Sequence, residues 1–314
     1  MFERILVPLD GSRGAERAIP VVARIARAFG SSVIVLGVVV PQISPGKLSL
    51  VEDGKATSEQ ELAVARAYLR TIAQSVELST IPTEVQALTG AVAPTILEAI
   101  QTLHADLIVL CSRSSTGFKR WKVGSVAEKV IRHAPIPVFV IPEGGADSAT
   151  VVRQAARVLV ALDGSPLSEA VLEPAASLTA GLSRAASQQG TLQLMRVVDI
   201  PSGYGKFRSM VDSFYDAQMR AEAKREYEQY LGSVSRRFSE GELAKYHLAV
   251  STVVATDPDA AEAIVQMAEQ WKVDFIAMAT HGRGGLQRWT LGSVTDRVLH
   301  ITQSPLFIVR SQGV

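Results

Sequence analysis

The stretch Thr280–Val294, THGRGGLQRWTLGSV, has the residues to hold an anion. Gly282, Gly284, Gly285 and Gly292 fall within eleven residues, and the stretch closes on Gly292-Ser293-Val294. The first turn of a helix presents N–H groups without intrahelical partners and the positive end of its dipole, so phosphate is favoured there. Gly292 lets a phosphate reach the backbone with no side chain in the way. Ser293 also reads as a helix cap, with Asp296 three residues on, and Ser125 with Glu128 makes the better capping box. The two readings are compatible. A cap alone does not call for three glycines upstream, and these tip the reading toward an anion site.

Asp10 and Asp163 each follow a short apolar run and precede Gly-Ser. One reading is a plain Asp-Gly turn, in which Ser165 caps a helix with Pro166 at its first position. The other puts a carboxylate at the carboxyl edge of a sheet. Such a carboxylate repels phosphate and would face a base or ribose. On these residues alone both readings stay open.

Other chemistry finds little support. No G-x-x-x-x-G-K-[ST] occurs, and no G-x-G-x-x-G follows a strand; SGYGK, Ser202–Lys206, is a loop elsewhere. The five histidines, at 104, 133, 247, 281 and 300, lack metal-ligand spacing. Cys111 reads as a core or pocket-lining thiol at a strand end. No acid–base pair or Ser/His/Asp set can be assembled, so no catalytic residue and no metal is expected. Lys119–Lys122, KRWK, is a small basic patch in a chain of net charge +1, and neither nucleic acid nor a membrane is expected as partner. The alternating charges of Val211–Phe238 read as a solvated helix face.

The elements that must position these residues come in two copies. ILVPLDGS from Ile5 matches VLVALDGS from Val158, an offset of 153. DLIVL from Asp106 matches DFIAM from Asp274, an offset of 168 that also carries Gly124-Ser125-Val126 onto Gly292-Ser293-Val294. Domains over 1–145 and 154–314 follow, joined near the glycine-rich Pro142–Thr150. The length of 314 residues suits two domains, and 47% hydrophobic residues supply their cores. In copy one, strands are expected over 5–9, 33–40, 84–88, 107–110 and 137–141. Helices are expected over 15–29, 59–76, 95–103 and 125–132. Copy two repeats the order, with strands at 158–162, 191–198, 247–254, 275–279 and 305–309. Its helices are expected over 168–182, 213–238, 259–271 and 293–301. Such alternation implies a parallel sheet with helices on both faces and ligands beyond the strands' carboxyl ends. One cysteine, no signal-like opening, and no apolar run near the ~20 residues of a spanning helix suggest a soluble cytoplasmic protein.

With these residues the chain resembles the universal stress protein family in tandem two-domain form. The family hallmark is G-x-x-G, nine residues, then G-[ST]. Gly282 and Gly292-Ser293 meet that spacing, with Ala279 at the first glycine. In copy one Gly124-Ser125 is present, while Cys111 and Ser114 stand at the two upstream glycines. The LDGS openings and the closing PVFVI and PLFIV strands are similar too. The resemblance implies two Rossmann-like α/β domains of the adenine nucleotide alpha hydrolase-like kind, each with a five-stranded parallel sheet. In one branch of the family it implies ATP, with or without Mg, bound without strong catalysis. Carried onto copy two, the fuller match, Ala161, Asp163 and Val197 fall on the adenine side. Ala279, Gly282 and Arg283 fall by ribose and phosphate, and Gly292, Ser293 and Val294 on the phosphates. In copy one the positions are Pro8, Asp10, Val38, Cys111, Ser114, Gly124, Ser125 and Val126. The family also implies dimers formed through the last strand, which two copies can satisfy as an intramolecular pseudo-dimer; a homodimer stays open. The functions left standing are a nucleotide-responsive stress regulator and a scaffold that works through an unnamed protein partner.

Overall fold

The computed structural model describes residues 1–41, 51–112, 123–142, 155–198, 210–280 and 291–310, with backbone alone at 51–58 and 210–217. The chain divides into two compact units, Met1–Val151 and Val152–Val314. The expected join at Pro142–Thr150 lies, after Pro142, outside the described residues.

In unit one the order is β1 (Arg4–Pro8), α1 (Arg13–Glu16), α2 (Ala18–Phe29), β2 (Ser32–Val39), α3 (Val51–Ala73) and β3 (Thr83–Thr89). It continues with α4 (Val92–Thr102), β4 (Leu107–Ser112), α5 (Ser125–His133) and β5 (Val138–Pro142). The strands pair in parallel in the order β3-β2-β1-β4-β5. The chain works outward from β1 to β3 and then returns to β4, so strand order reverses between β1 and β4. Ligands of such sheets sit at the carboxyl ends beside that reversal. Ile5, Leu6 and Val7, and Val33 to Leu36, are fully buried, which is why these strands read as unbroken apolar runs.

Unit two repeats this with β6 (Arg157–Ala161), α6 (Pro166–Glu169), α7 (Leu172–Arg184), β7 (Thr191–Val198) and α8 (Met210–Ser239). There follow β8 (Ala249–Thr256), α9 (Ala260–Trp271), β9 (Phe275–Ala279), α10 (Ser293–Ile301) and β10 (Leu306–Val309). The strand order is β8-β7-β6-β9-β10. The repetition reaches individual bonds. Asp106 accepts the N–H groups of Glu3 at 2.8 Å and Arg4 at 3.0 Å, and Asp274 accepts that of Arg157 at 2.7 Å. These carboxylates tie the amino end of the first strand to the fourth strand's approach in each unit.

Four expectations are corrected in detail. The helices expected over 15–29 and 168–182 each begin as a separate short turn, broken at Arg17 and at Ala170–Val171. Arg17 and Val171 have ψ of −16° and −22°, and Val171 N–H bonds back three residues to Ser168, so the joint is a tighter 3-10 turn. The strand expected from His247 starts at Ala249, because His247 has φ 51° and closes a 3-10 turn over Ala244–Tyr246. Helix α3 begins at Val51, earlier than Glu59.

Candidate functional site

The loop after β1 is built by its own side chains. Asp10 Oδ1 accepts the Ser12 N–H at 2.9 Å, and Ser12 Oγ accepts that of Ala15 at 3.2 Å, capping α1. In unit two Asp163 Oδ1 accepts from Ser165 N at 2.8 Å and Ser165 Oγ at 2.6 Å, while Ser165 Oγ caps α6 at Ser168 N, 3.1 Å. Gly11 and Gly164 turn the chain with φ of +80° and +86°, a region open to glycine at little cost. The turn reading of Asp10 and Asp163 is therefore correct. Asp10 also lines a cavity at that edge.

That cavity, of about 540 Å³, opens between the carboxyl ends of β1 and β2 and helix α3. Leu9, Gly37, Val38, Val64, Ala65 and Leu69 give it apolar walls. Among the described residues its polar side chains are Asp10, Gln60, Glu61 and Tyr68, with no cation among these. Tyr68 donates its hydroxyl to Glu16 Oε1 at 2.9 Å, and burial followed by the Glu16 carboxylate pushes its pKa well above the ordinary phenol value. Walls of this kind suit a flat, neutral or amino-bearing ring and repel phosphate. Of the expected residues, Asp10 and Val38 meet here. Pro8 ends β1 beside them, in register with Leu36.

The corresponding place in unit two is filled. Pro8 pairs with Leu36 in β1–β2, and Ala161 with Met195 in β6–β7, so Gly37 answers to Arg196 and Val38 to Val197. On the facing helix, Tyr230 donates to Glu169 Oε1 at 3.0 Å as Tyr68 does to Glu16, so three residues earlier Ala65 answers to Tyr227. The Arg196 guanidinium carbon lies 3.4 Å from the centre of the Tyr227 ring and 5.1 Å from that of Tyr230. Arg196 is only 4% exposed. A Cβ at Gly164 would meet its guanidinium at 2.7 Å, whereas one at Gly11 would meet nothing within 4 Å among the described residues. Burial, then Glu169, raises the Tyr230 phenol above its ordinary range. Sequence reading missed Arg196, Tyr227, Tyr68 and Tyr230. The available signal was a lone arginine in the strand run TLQLMRVV where copy one has glycine.

The anion end differs from expectation at the caps. Gly124 and Gly292, not Ser125 and Ser293, are the N-caps of α5 and α10, and neither helix has a side-chain cap. The capping-box reading is overturned because the serines already stand at the first helical position, one residue too late to reach back. Glu128 instead pairs with Arg132 at 3.1 Å. Val126 and Val294 follow, each 37% exposed. Gly292 N–H donates to the Thr280 carbonyl at 2.6 Å, and Thr295 Oγ1 to that of Ala279 at 2.9 Å, seating the start of α10 against the buried end of β9. This brings Ala279 to Gly292 and Ser293. Ala161 is buried at the end of β6 and Val197 half-buried on β7. Cys111 is half-buried on β4, its Sγ 3.8 Å from the Ala15 carbonyl. Gly282, Arg283 and Ser114 lie outside the described residues. Among the described residues no group of three His, Cys, Asp or Glu could hold a metal, and no helix is long and apolar enough to cross a membrane.

Comparison with known proteins agrees with this repeated architecture. The profile of the universal stress protein family matches residues 1–142 and again 155–310. Universal stress protein Rv2005c of Mycobacterium tuberculosis is 30% identical over 224 residues, 69% of this chain and 65% of its own length. The match thus spans less than two thirds of that relative. Universal stress protein Rv1996 of the same organism is 26% identical over 98% of this chain and 94% of its own length. A universal stress protein structure from Archaeoglobus fulgidus shares the fold with a TM-score of 0.64 at 20% identity, covering 99% of this chain and all of that one. Two successive matches across nearly the whole sequence make this chain a member of the universal stress protein family, in tandem form.

Proposed function

We propose that this chain is a cytoplasmic regulator of the stress response that binds an adenine nucleotide, ATP with or without Mg, and works without a dedicated catalytic site. The observation that carries the reading is the cavity beside Asp10 and Val38, at the carboxyl edge where α5 begins without a side-chain cap. The cavity's acids and apolar walls suit a base. The free N–H groups at the starts of α5 and α10 suit phosphates. Magnesium would arrive with the phosphates. The alternative, a scaffold that acts through a protein partner without nucleotide, has support from the hallmark glycines replaced by Cys111 and Ser114 in copy one.

Titration calorimetry of Mg-ATP into refolded, nucleotide-free protein separates the two. Binding that is lost in the Gly124→Val, Gly292→Val double variant supports the nucleotide reading. Both glycines have ordinary extended dihedrals, near φ −60° and ψ 145°, that valine also adopts, so the fold should survive. No heat in the wild-type protein moves the function to the scaffold.

A further inference from the structure

We propose that Arg196 and Tyr227 are a built-in occupant of unit two's base pocket, so that recognition of a nucleobase is confined to unit one. The proposal rests on the nucleotide reading above and decides which half performs it. It reverses the order suggested by the glycine loops, which are fuller in copy two.

Two equivalent positions differ together, and the space above a third, shared glycine changes with them. Gly37 is replaced by Arg196 on the strand, Ala65 by Tyr227 on the facing helix, and the open space over Gly11 by a guanidinium pressed on Gly164. Around them the frame is shared: Tyr68 on Glu16 matches Tyr230 on Glu169, and Leu69 matches Leu231, both fully buried. Two small residues on opposite walls leave the cavity in unit one open. Two large ones close over the same place in unit two. A guanidinium is planar and stacks on aromatic faces, so it uses the volume and the stacking that a base would use. The site in unit two is thus filled from within, and a ring could enter only by displacing the buried Arg196 guanidinium and the half-buried Tyr227 ring.

The test is photolabelling of the full chain with an 8-azido-adenosine triphosphate probe, followed by peptide mapping to each unit. In the wild-type protein the label should fall in unit one alone. Arg196→Gly with Tyr227→Ala should add label in unit two. Arg196→Gly alone, which retains the Tyr227 ring, is the milder second variant and should add less. Ala65→Tyr, which puts a ring into the open cavity as Tyr227 does in unit two, should lower the label in unit one. Label in unit two of the wild-type protein overturns the inference while leaving nucleotide binding standing. So does a folded Arg196→Gly, Tyr227→Ala protein that still labels only in unit one. Absence of label from every protein removes the nucleotide reading itself, and the inference with it.

Discussion

Gly11→Ala and Gly164→Ala make the same chemical change at equivalent turns and should differ in cost. Both place a Cβ on backbone of positive φ, +80° and +86°, which costs a non-glycine residue about 1–2 kcal/mol. At Gly11 nothing among the described residues lies within 4 Å of the new methyl, so the expected cost is that strain alone. At Gly164 the methyl would sit 2.7 Å from Cζ and Nη1 of Arg196 and 2.8 Å from Nη2. An unstrained contact needs about 3.5–4.0 Å, so the guanidinium must retreat by about 1 Å. An unanchored side chain would retreat at almost no cost. Arg196 is held 3.4 Å over the Tyr227 ring, and losing a desolvated stack of this kind costs about 2 kcal/mol. Gly164→Ala should therefore destabilise by about 1–2 kcal/mol more than Gly11→Ala. Urea unfolding of the two variants measures the difference. A double-mutant cycle assigns it, because in an Arg196→Gly background Gly164→Ala should fall to the cost of Gly11→Ala. Equal costs in the two turns, or an excess that persists without Arg196, would falsify the anchored stack.

Two further outcomes follow from bonds of the site. Tyr68 and Tyr230 keep their protons in the folded chain to higher pH than in the unfolded chain, because of burial and then of Glu16 and Glu169. The stability they contribute is present below the ordinary phenol pKa of about 10 and is lost as pH rises beyond it, since the unfolded state then holds fewer protons. Urea midpoints should thus fall above that pH, and less steeply in Tyr68→Phe and Tyr230→Phe; an unchanged slope in both would contradict the assignment. Thr295→Val removes the bond that holds α10 to the Ala279 carbonyl and leaves a buried acceptor unmatched, a loss of about 1–2 kcal/mol. Amide exchange should quicken at the start of α10 before it does in β9, and uniform protection would show the bond to be incidental.

The fold was legible because parallel strands covered on both faces must be apolar throughout, and Ile5–Val7 and Val33–Leu36 are. The repeat was legible because the same strand edges recur with the same Asp-Gly-Ser turn. Errors fell where one residue's backbone decides. No pattern of apolar residues shows that His247 turns left-handed, or that Gly124 rather than Ser125 stands at the cap. At the site, Asp10 and Val38 could be read from their places at strand ends. The pairing of Gly37 with Ala65, and of Arg196 with Tyr227, could not. It depends on how a helix some thirty residues downstream lies against the strand, and that register is set by packing at Leu69 and Leu231 rather than by local propensity.

The Arg196 side chain is not part of what builds the sheet of unit two. A guanidinium taken out of water is costly unless its surroundings compensate it. Unit two supplies part of that compensation from two tyrosine rings, Tyr227 at 3.4 Å and Tyr230 at 5.1 Å from the guanidinium carbon. None of this is required to build the sheet. With glycine at the same register, β2 still pairs with both β1 and β3, and Leu69 packs near enough that a Cβ on Gly37 would lie 3.2 Å from its Cδ1. The same framework is thus complete with the smallest side chain and with one of the largest. What the arginine changes is the volume left at the carboxyl edge, and at that edge volume decides whether a flat ring can enter.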